Sequence, residues 1–115
     1  MYHGTSRANA ESIERNGFSP STDGMLGRGV YVSRQREKAE HYVKGHDGVI
    51  LKLSVQCGRV KRIDHQGHPS QKTWHYEGFD SAWVPPNSLS LAPSGLEEDC
   101  IWDPSRIQVI GRVKG

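Results

Sequence analysis

The clearest pattern in the chain is an alternation of apolar and polar residues between Gly48 and Val55. One face carries Val49, Leu51, Leu53 and Val55, and the other face carries Lys52, Ser54 and Gln56. Since successive side chains of a strand point to opposite faces of a sheet, this pattern predicts a strand with one buried face. Shorter apolar stretches predict further strands at Met1–Gly4, Gly29–Val32, Arg59–Ile63, Glu98–Trp102 and Ile107–Val113.

Two segments carry the signals of short helices. They are Ala8–Asn16, capped by Ser6 and ended by Gly17, and Arg34–Val43, capped by Ser33 and ended by Gly45. A serine hydroxyl can accept a hydrogen bond from a free N–H of the first turn, and glycine tolerates the backbone that ends a helix. In the first helix, Ala10 and Ile13 are expected to face inward. Together these elements predict an α+β fold, with two short helices packed on mostly antiparallel sheets.

Three segments are expected to lack regular structure. Phe18–Leu26 is a loop rich in Ser, Pro, Asp and Gly, and Asp103-Pro104-Ser105 is a turn. The segment His65–Leu96 is polar and too long for a plain connection. We therefore expect it to be functional or partly mobile.

The length and net charge of the chain limit the number of domains and the kinds of ligand to be expected. With 115 residues, the chain can form one small domain with a single core. We expect one catalytic or binding domain over residues 1–115, either complete or a fragment of a longer protein. The net charge of +2 is compatible with an anionic ligand such as a dinucleotide or RNA, but does not require one.

The cysteines and the apolar runs indicate a cellular context. Cys57 and Cys100 lie in apolar stretches, so two buried free thiols in a reducing compartment are expected rather than a disulfide. No apolar run approaches the length that a bilayer requires, and no charged-then-apolar leader is present. By elimination we expect a soluble intracellular protein with no membrane partner.

Four features, in a fixed order, give the strongest functional signal. They are His3-Gly4-Thr5, the stretch Met25-Leu26-Gly27-Arg28-Gly29-Val30-Tyr31, Tyr42 on the second helix, and Glu98 four residues before Trp102. Together they resemble the catalytic domain of poly(ADP-ribose) polymerases and their mono-ADP-ribosylating relatives, which are diphtheria-toxin-like transferases with a His, Tyr and Glu signature. The resemblance covers Tyr2 to Tyr42 and resumes near Glu98.

The resemblance implies a small single-domain ADP-ribosyltransferase fold with an NAD cleft. It also implies an enzyme that cleaves the nicotinamide–ribose bond of NAD, its substrate, and transfers ADP-ribose to a protein or nucleic-acid acceptor. The implied catalytic residues are Glu98, His3 and Tyr31. The implied NAD-binding residues are His3, Gly4, Thr5, Asn9, Gly29, Tyr31, Ala39 and Tyr42.

These residue types suit that chemistry for independent physical reasons. Nicotinamide is a flat, electron-poor ring, which binds well between two aromatic faces such as those of Tyr31 and Tyr42. Gly4 would let the backbone approach the carboxamide without a Cβ in the way. His3 can bond a ribose hydroxyl. Breaking the glycosidic bond develops positive charge on the sugar, which a carboxylate beside it stabilises.

The choice of Glu98 depends on strand register. Alternation puts Glu98, Cys100 and Trp102 on one face and Glu97, Asp99 and Ile101 on the other. The spacing to Trp102 selects Glu98, and a slip of one residue would select a neighbour instead.

Two departures from the family pattern matter. Ala39 stands where many relatives have a serine that bonds the carboxamide, and one such bond contributes roughly 0.5–1.5 kcal/mol. The segment His65–Leu96 has no confident counterpart, so the acceptor and the choice between mono- and poly-transfer stay open. Within it, Asp80–Pro86 resembles the acceptor-side loop of short relatives such as the virus-induced fish proteins and the neuralized-like group.

Three other groups of residues can each be interpreted either as ordinary surface or core residues or as part of a functional site. His65, His68 and His75 share one polar stretch but lack a metal-binding spacing, so no metal site is expected. The basic residues Arg34, Arg36, Lys38 and Lys44, and the set Arg59, Lys61 and Arg62, are either solvated surface or contacts for pyrophosphate or nucleic acid. The aromatic residues Trp74, Tyr76, Phe79 and Trp83 form either a small core or an acceptor groove.

Two functions are therefore carried forward. The first is an active ADP-ribosyltransferase, with transfer onto RNA termini as one variant. The second is a catalytically weak or inactive module that binds NAD or ADP-ribose in an interaction or antiviral role. Glu98 favours the enzyme, whereas Ala39 and the short N-terminus favour the module.

Overall fold

The computed structural model describes residues 1–43 and 47–113. Its elements are β1 (Tyr2–Ser6), α1 (Arg7–Asn16), β2 (Val30–Val32), α2 (Arg36–Val43), β3 (Gly48–Val55), β4 (Val60–Arg62), β5 (Ser81–Val84), β6 (Glu98–Ile101) and β7 (Ile107–Arg112). The strands form two sheets, ordered β1-β3-β7 and β2-β6-β5-β4. Every strand pair within them is antiparallel except β4 with β5. The predicted α+β fold, with two short helices and mostly antiparallel sheets, is confirmed.

Two hydrophobic clusters hold the domain together. One cluster joins the two sheets, because Leu51 and Leu53 of β3 pack with Val30 of β2 and Ile101 of β6. The other surrounds Trp74 and includes Ile63, Ala82, Val84 and Cys100. Ile101 and its neighbour Cys100 thus belong to different clusters, as side-chain alternation along β6 requires. This alternation decides which acidic residues of β6 face which side.

Helix α1 forms as its sequence signals predict. The Ser6 hydroxyl accepts a hydrogen bond from the N–H of Asn9 at 3.1 Å, and the Gly17 N–H donates to the Ile13 carbonyl at 2.8 Å. Gly17 has a φ of 82°, which favours glycine. Ala10 is fully buried. Both helices contact β1 and β3 of the three-stranded sheet.

Helix α2 begins two residues later than predicted, at Arg36. The Ser33 hydroxyl accepts from the Gln35 N–H at 3.1 Å, but it also donates to the Glu97 carboxylate at 2.6 Å. The Arg34 N–H donates to the same carboxylate. These contacts with Glu97, the residue before β6, hold Ser33 and Arg34 outside the helix. The predicted stop at Gly45 lies outside the described residues.

The segment His65–Leu96, predicted to lack regular structure, contains a 3₁₀ turn at Trp74–Glu77 and strand β5. β5 lies inside the four-stranded sheet, between β4 and β6, and Ser81, Ala82 and Val84 are buried. The prediction of a loop was wrong, because a four-residue strand within a polar segment is too short to show an alternation of apolar and polar residues. The stretch Asp80–Pro86, which resembles an acceptor-side loop, thus contains a strand of the four-stranded sheet.

The structure agrees only in part with the prediction of two buried free thiols. Cys57 and Cys100 are free thiols, and Cys100 is buried. Cys57 is only half-buried, because it lies beyond the end of β3. In the described part of the chain, no helix combines the length and apolar character needed to cross a membrane.

Candidate active site

A cleft made of two adjoining cavities lies between β1, β2 and β6. The cavities hold about 380 and 310 Å³ and share His3, Ser21 and Tyr31. The first is lined further by Gly4, Asp23, Gly24, Met25, Tyr42 and Glu98. The second is lined further by Thr5, Asn9, Ser12, Ile13, Gly17, Phe18, Ser19 and Val30. Each has a volume within the range of about 300–1,000 Å³ that is typical of ligand sites.

His3 sits on β1, at the boundary of the two cavities. Its Nδ1 lies 2.8 Å from the Tyr31 carbonyl oxygen, and its ring meets Phe18 edge-on at 5.1 Å. Burial lowers the pKa of His3, and the hydrogen bond to the carbonyl partly opposes this. A carbonyl can only accept, so Nδ1 carries the proton and Nε2 of the neutral ring is left as an acceptor. That nitrogen can accept a hydrogen bond from a ligand hydroxyl.

Tyr31 on β2 is held by the loop that precedes it. Its hydroxyl donates to the Gly27 carbonyl and accepts from the Leu26 N–H at 3.1 Å. A Cβ at Gly24 would lie within 2.6 Å of the phenol ring, so glycine allows the loop to close over this side chain. Burial raises the pKa of Tyr31. Both hydrogen bonds of the Tyr31 hydroxyl are thus made with the backbone, and the aromatic ring is the part of the side chain that can contact a ligand.

Glu98 lies at the start of β6 and faces the first cavity, as the strand alternation predicts. Only 4% of the residue is exposed. The Tyr42 hydroxyl donates to its Oε1 at 3.4 Å, and the Lys38 Nζ lies 3.7 Å from its Oε2. Burial raises the pKa of Glu98, while Lys38 and Tyr42 favour the ionised form. The carboxylate is therefore held in place and has limited contact with water.

The two acidic neighbours of Glu98 face away from the cleft. Glu97 accepts hydrogen bonds from Ser33 and from the Arg34 N–H. The Arg34 guanidinium lies 3.6 Å from Glu97 and 3.4 Å from Asp99. Both carboxylates are thus engaged in structural contacts, and neither lines the cleft. Among the three acidic residues, only Glu98 is placed to meet a ligand.

Gly4 and Ala39 meet where β1 packs on α2. A Cβ at Gly4 would lie 2.2 Å from the Ala39 carbonyl oxygen, so glycine is needed for this contact whether or not a ligand approaches it. Ala39 is 2% exposed and lies in a narrow crevice beside Gly4, Tyr42 and Glu98. Its methyl group has no hydrogen-bonding atom to offer.

Gly29 does not line either cavity, in contrast to its predicted role in NAD binding. A Cβ there would lie 2.4 Å from the Cys100 sulfur, so the residue lets the loop lie against β6. It also exchanges backbone hydrogen bonds with Ser21, which does line the cleft. Its contribution to the site is therefore indirect.

Several lining residues were not singled out from the sequence. Lys38 was grouped with basic residues expected to be either solvated surface or contacts for pyrophosphate or nucleic acid, but its side chain is only 12% exposed and lies beside Glu98. It lies four residues before Tyr42, so both side chains share one helix face, a signal that could have identified it. Ser21 and Asp23 come from an irregular loop and carried no such signal. Lys44 lies outside the described residues.

The histidine and aromatic clusters separate in the structure. The rings of His65 and His68 lie 5.2 Å apart, whereas His75 stacks on Trp102. Within residues 1–43 and 47–113, no three His, Cys, Asp or Glu side chains form a group that could hold a metal ion. Trp74 is buried in the core, but Tyr76 is 77% exposed, so the aromatic set is only partly a core.

No family model matches this chain. No curated protein matches it either. The functional assignment therefore depends on the motifs and on the geometry of the cleft.

Proposed function

We propose that this protein is an NAD-dependent ADP-ribosyltransferase. The observation that carries the proposal is the convergence of His3, Tyr31, Tyr42 and Glu98, from four separate elements, on one cavity. A carboxylate with 4% exposure would be costly to bury without a use or a partner. Its partners here are one lysine and one tyrosine hydroxyl, which leave room for a ligand beside it.

In this proposal NAD occupies both cavities. The nicotinamide ring lies in the first cavity, against the aromatic rings of Tyr31 and Tyr42. The adenosine half lies in the second cavity, where Thr5, Asn9 and Ser12 offer hydroxyl and amide groups. His3, which belongs to both cavities, accepts a hydrogen bond from a ribose hydroxyl between the two halves.

The reaction breaks the C–N bond between the ribose and nicotinamide, and the bonding electrons leave with nicotinamide. Positive charge develops on the ribose, and the Glu98 carboxylate stabilises it through the adjacent hydroxyl. A lone pair of the acceptor then forms the new bond to the same carbon, and the acceptor proton is lost. The acceptor is a nucleophile of a protein or of a nucleic acid.

The decisive experiment compares the wild type with Glu98→Gln, using NAD labelled on adenine. The neutral amide keeps the size of the side chain but cannot balance positive charge. We expect transfer of label and release of nicotinamide to fall at least about 100-fold, while NAD affinity by calorimetry changes little. Glu40→Gln on the exposed face of α2 serves as the matched control and should leave turnover unchanged.

One observation favours the second function, a module that binds NAD without chemistry. Ala39 supplies no side-chain hydrogen bond in the crevice beside Gly4, where the nicotinamide amide would lie. If wild-type protein binds NAD but releases no nicotinamide with any protein or RNA acceptor, this module becomes the better account. Turnover that persists in Glu98→Gln would instead remove Glu98 from the mechanism.

A further inference from the structure

The loop over residues 21–27 forms one wall of the first cavity and belongs to no helix or strand. Its backbone at Leu26 and Gly27 makes both hydrogen bonds of the Tyr31 hydroxyl. The position of this loop therefore sets the shape of the cavity and the orientation of the Tyr31 ring. The loop supplies four of the residues that line the cavity, which are Ser21, Asp23, Gly24 and Met25.

Two buried side chains from a distant part of the chain bind the backbone of this loop. The Gln71 Nε2 donates to the Met25 carbonyl at 2.9 Å, and the Trp74 Nε1 donates to the Leu26 carbonyl at 2.8 Å. Gln71 is 8% exposed and Trp74 is 1% exposed. Two consecutive carbonyls of the loop are thus bonded by side chains that lie 46 and 48 positions away along the chain.

Lys72 adds a weaker contact between the same two segments. Its Nζ lies 3.2 Å from the Asp23 Oδ1, and a Cβ at Gly27 would lie 3.5 Å from the Lys72 Cβ. The lysine side chain is 54% exposed and the aspartate side chain is 76% exposed, so water screens this ion pair and its contribution to stability is small. The buried bonds of Gln71 and Trp74 are therefore the main contacts that hold the loop.

Both buried side chains are themselves fixed in place. The Gln71 Oε1 accepts a hydrogen bond from the Gly67 N–H at 2.8 Å, which directs the Nε2 of the same amide toward the Met25 carbonyl. Trp74 packs in the hydrophobic cluster that also contains Leu26. Because these side chains are already ordered by other contacts, little further conformational entropy is lost when they bind the loop.

We propose that Gln71 and Trp74 are positioning residues for the cleft. Their bonds fix the backbone at residues 25–27, and this backbone holds the Tyr31 hydroxyl. A loop carbonyl that loses its buried donor has to bond water instead, and the loop opens to reach it. The nicotinamide is proposed to lie against this wall, so the effect on NAD binding rests on the function proposed above. The effect on the loop itself does not.

The test combines amide hydrogen exchange, measured by NMR without ligand, with NAD affinity measured by calorimetry. Gln71→Met keeps the length of the side chain but removes the amide. We expect exchange at Leu26 and Gly27 to speed up by about tenfold or more relative to exchange at the amides of β3. The Kd for NAD should rise by about threefold to tenfold, which corresponds to the loss of one hydrogen bond.

A second variant and a matched control accompany this measurement. Trp74→Phe removes the other bond but keeps an aromatic ring in the core, so it should act in the same direction. If Gln71→Met does not fold, Trp74→Phe decides the outcome. Gln108→Met makes the same substitution at an exposed position of β7 and should change neither the exchange ratio nor the NAD affinity.

Three results would overturn the proposal. The first is unchanged exchange at Leu26 and Gly27. The second is exchange that speeds up equally in the loop and in β3, because this indicates a general loss of stability. The third is faster exchange in the loop with unchanged NAD affinity, because the loop then does not position the site. If the wild type binds no NAD, the proposed function fails, and the exchange rates alone decide whether Gln71 and Trp74 hold the loop.

Discussion

Glu98 takes its properties from two residues of helix α2. The Lys38 ammonium and the Tyr42 hydroxyl contact opposite oxygens of its carboxylate. Burial raises the pKa of Glu98, and these two contacts lower it. Burial, together with the same carboxylate, raises the pKa of Tyr42 to about 12. A group that must stabilise positive charge has to be ionised, so Lys38 acts on the proposed reaction through Glu98.

We predict that Lys38→Met shifts the acid limb of the pH–rate profile to higher pH, by about one unit. Removing the cation leaves only the Tyr42 hydroxyl to oppose the effect of burial, so Glu98 is protonated over a wider pH range. Nicotinamide release as a function of pH measures the shift, and an NMR titration of the carboxyl carbon measures it without turnover. Arg36→Met, on the exposed face of the same helix, is the control. An acid limb that does not move would show that Lys38 has no such influence.

At the scale of elements, the contact between β1 and α2 assembles the cleft. β1 carries His3 and Gly4, whereas α2 carries Lys38, Ala39 and Tyr42. The two elements touch closely at Gly4, where the Ala39 carbonyl occupies the space of a Cβ. The distance between them therefore sets the width of the crevice beside Glu98.

We predict that Gly4→Ala lowers the free energy of unfolding by about 1–3 kcal/mol, because the added methyl group forces α2 away from β1. NAD affinity should fall as well, since Tyr42 moves with the helix. Urea unfolding and calorimetry measure the two effects. An unfolding free energy that stays within about 0.5 kcal/mol of the wild type would contradict the packing argument.

At the scale of the whole molecule, a buried acidic pair couples folding to pH. Glu97 and Asp99 are 3% and 1% exposed, and half-exposed Arg34 is the cation that contacts both. Burial, together with the adjacent Glu97, raises the pKa of Asp99 to about 8. The folded protein thus holds a proton that the unfolded chain releases above about pH 4. The contribution of Asp99 to the free energy of unfolding is therefore fully present below about pH 4, and it is lost as the pH rises toward 8.

We predict that Asp99→Asn makes the stability less dependent on pH between 5 and 8. The wild type should lose up to about 1.4 kcal/mol per pH unit from this group, whereas the amide mimics the protonated form throughout. His3, whose pKa is lowered, contributes with the opposite sign near its own titration, so the comparison with wild type is essential. Urea unfolding at three pH values measures the difference. Asp103→Asn, at an exposed position, should leave the slope unchanged.

Local signals predicted much of the fold. The bounds of β3 follow from its alternation, and α1 follows from Ser6 and Gly17, because both depend on residues within a few positions. Strand parity also separated Glu98 from Glu97 and Asp99, and the structure has Glu98 alone of the three lining the cleft. The site residues were harder to predict where their role depends on distant contacts. Gly29 lies against Cys100, which is 71 positions away, and nothing in the neighbouring sequence reveals this contact.

The sequence by itself determined the alternation of β3, the caps of α1 and the order of the motif residues, because these depend on local backbone chemistry. Only the tertiary structure decided that β5 lies between β4 and β6, that Lys38 turns inward to Glu98, and that Ser33 and Arg34 leave the helix for Glu97. Each of these depends on which segments pack together. Burial makes an unpaired polar group costly, so distant partners rather than local propensity determine where such side chains lie.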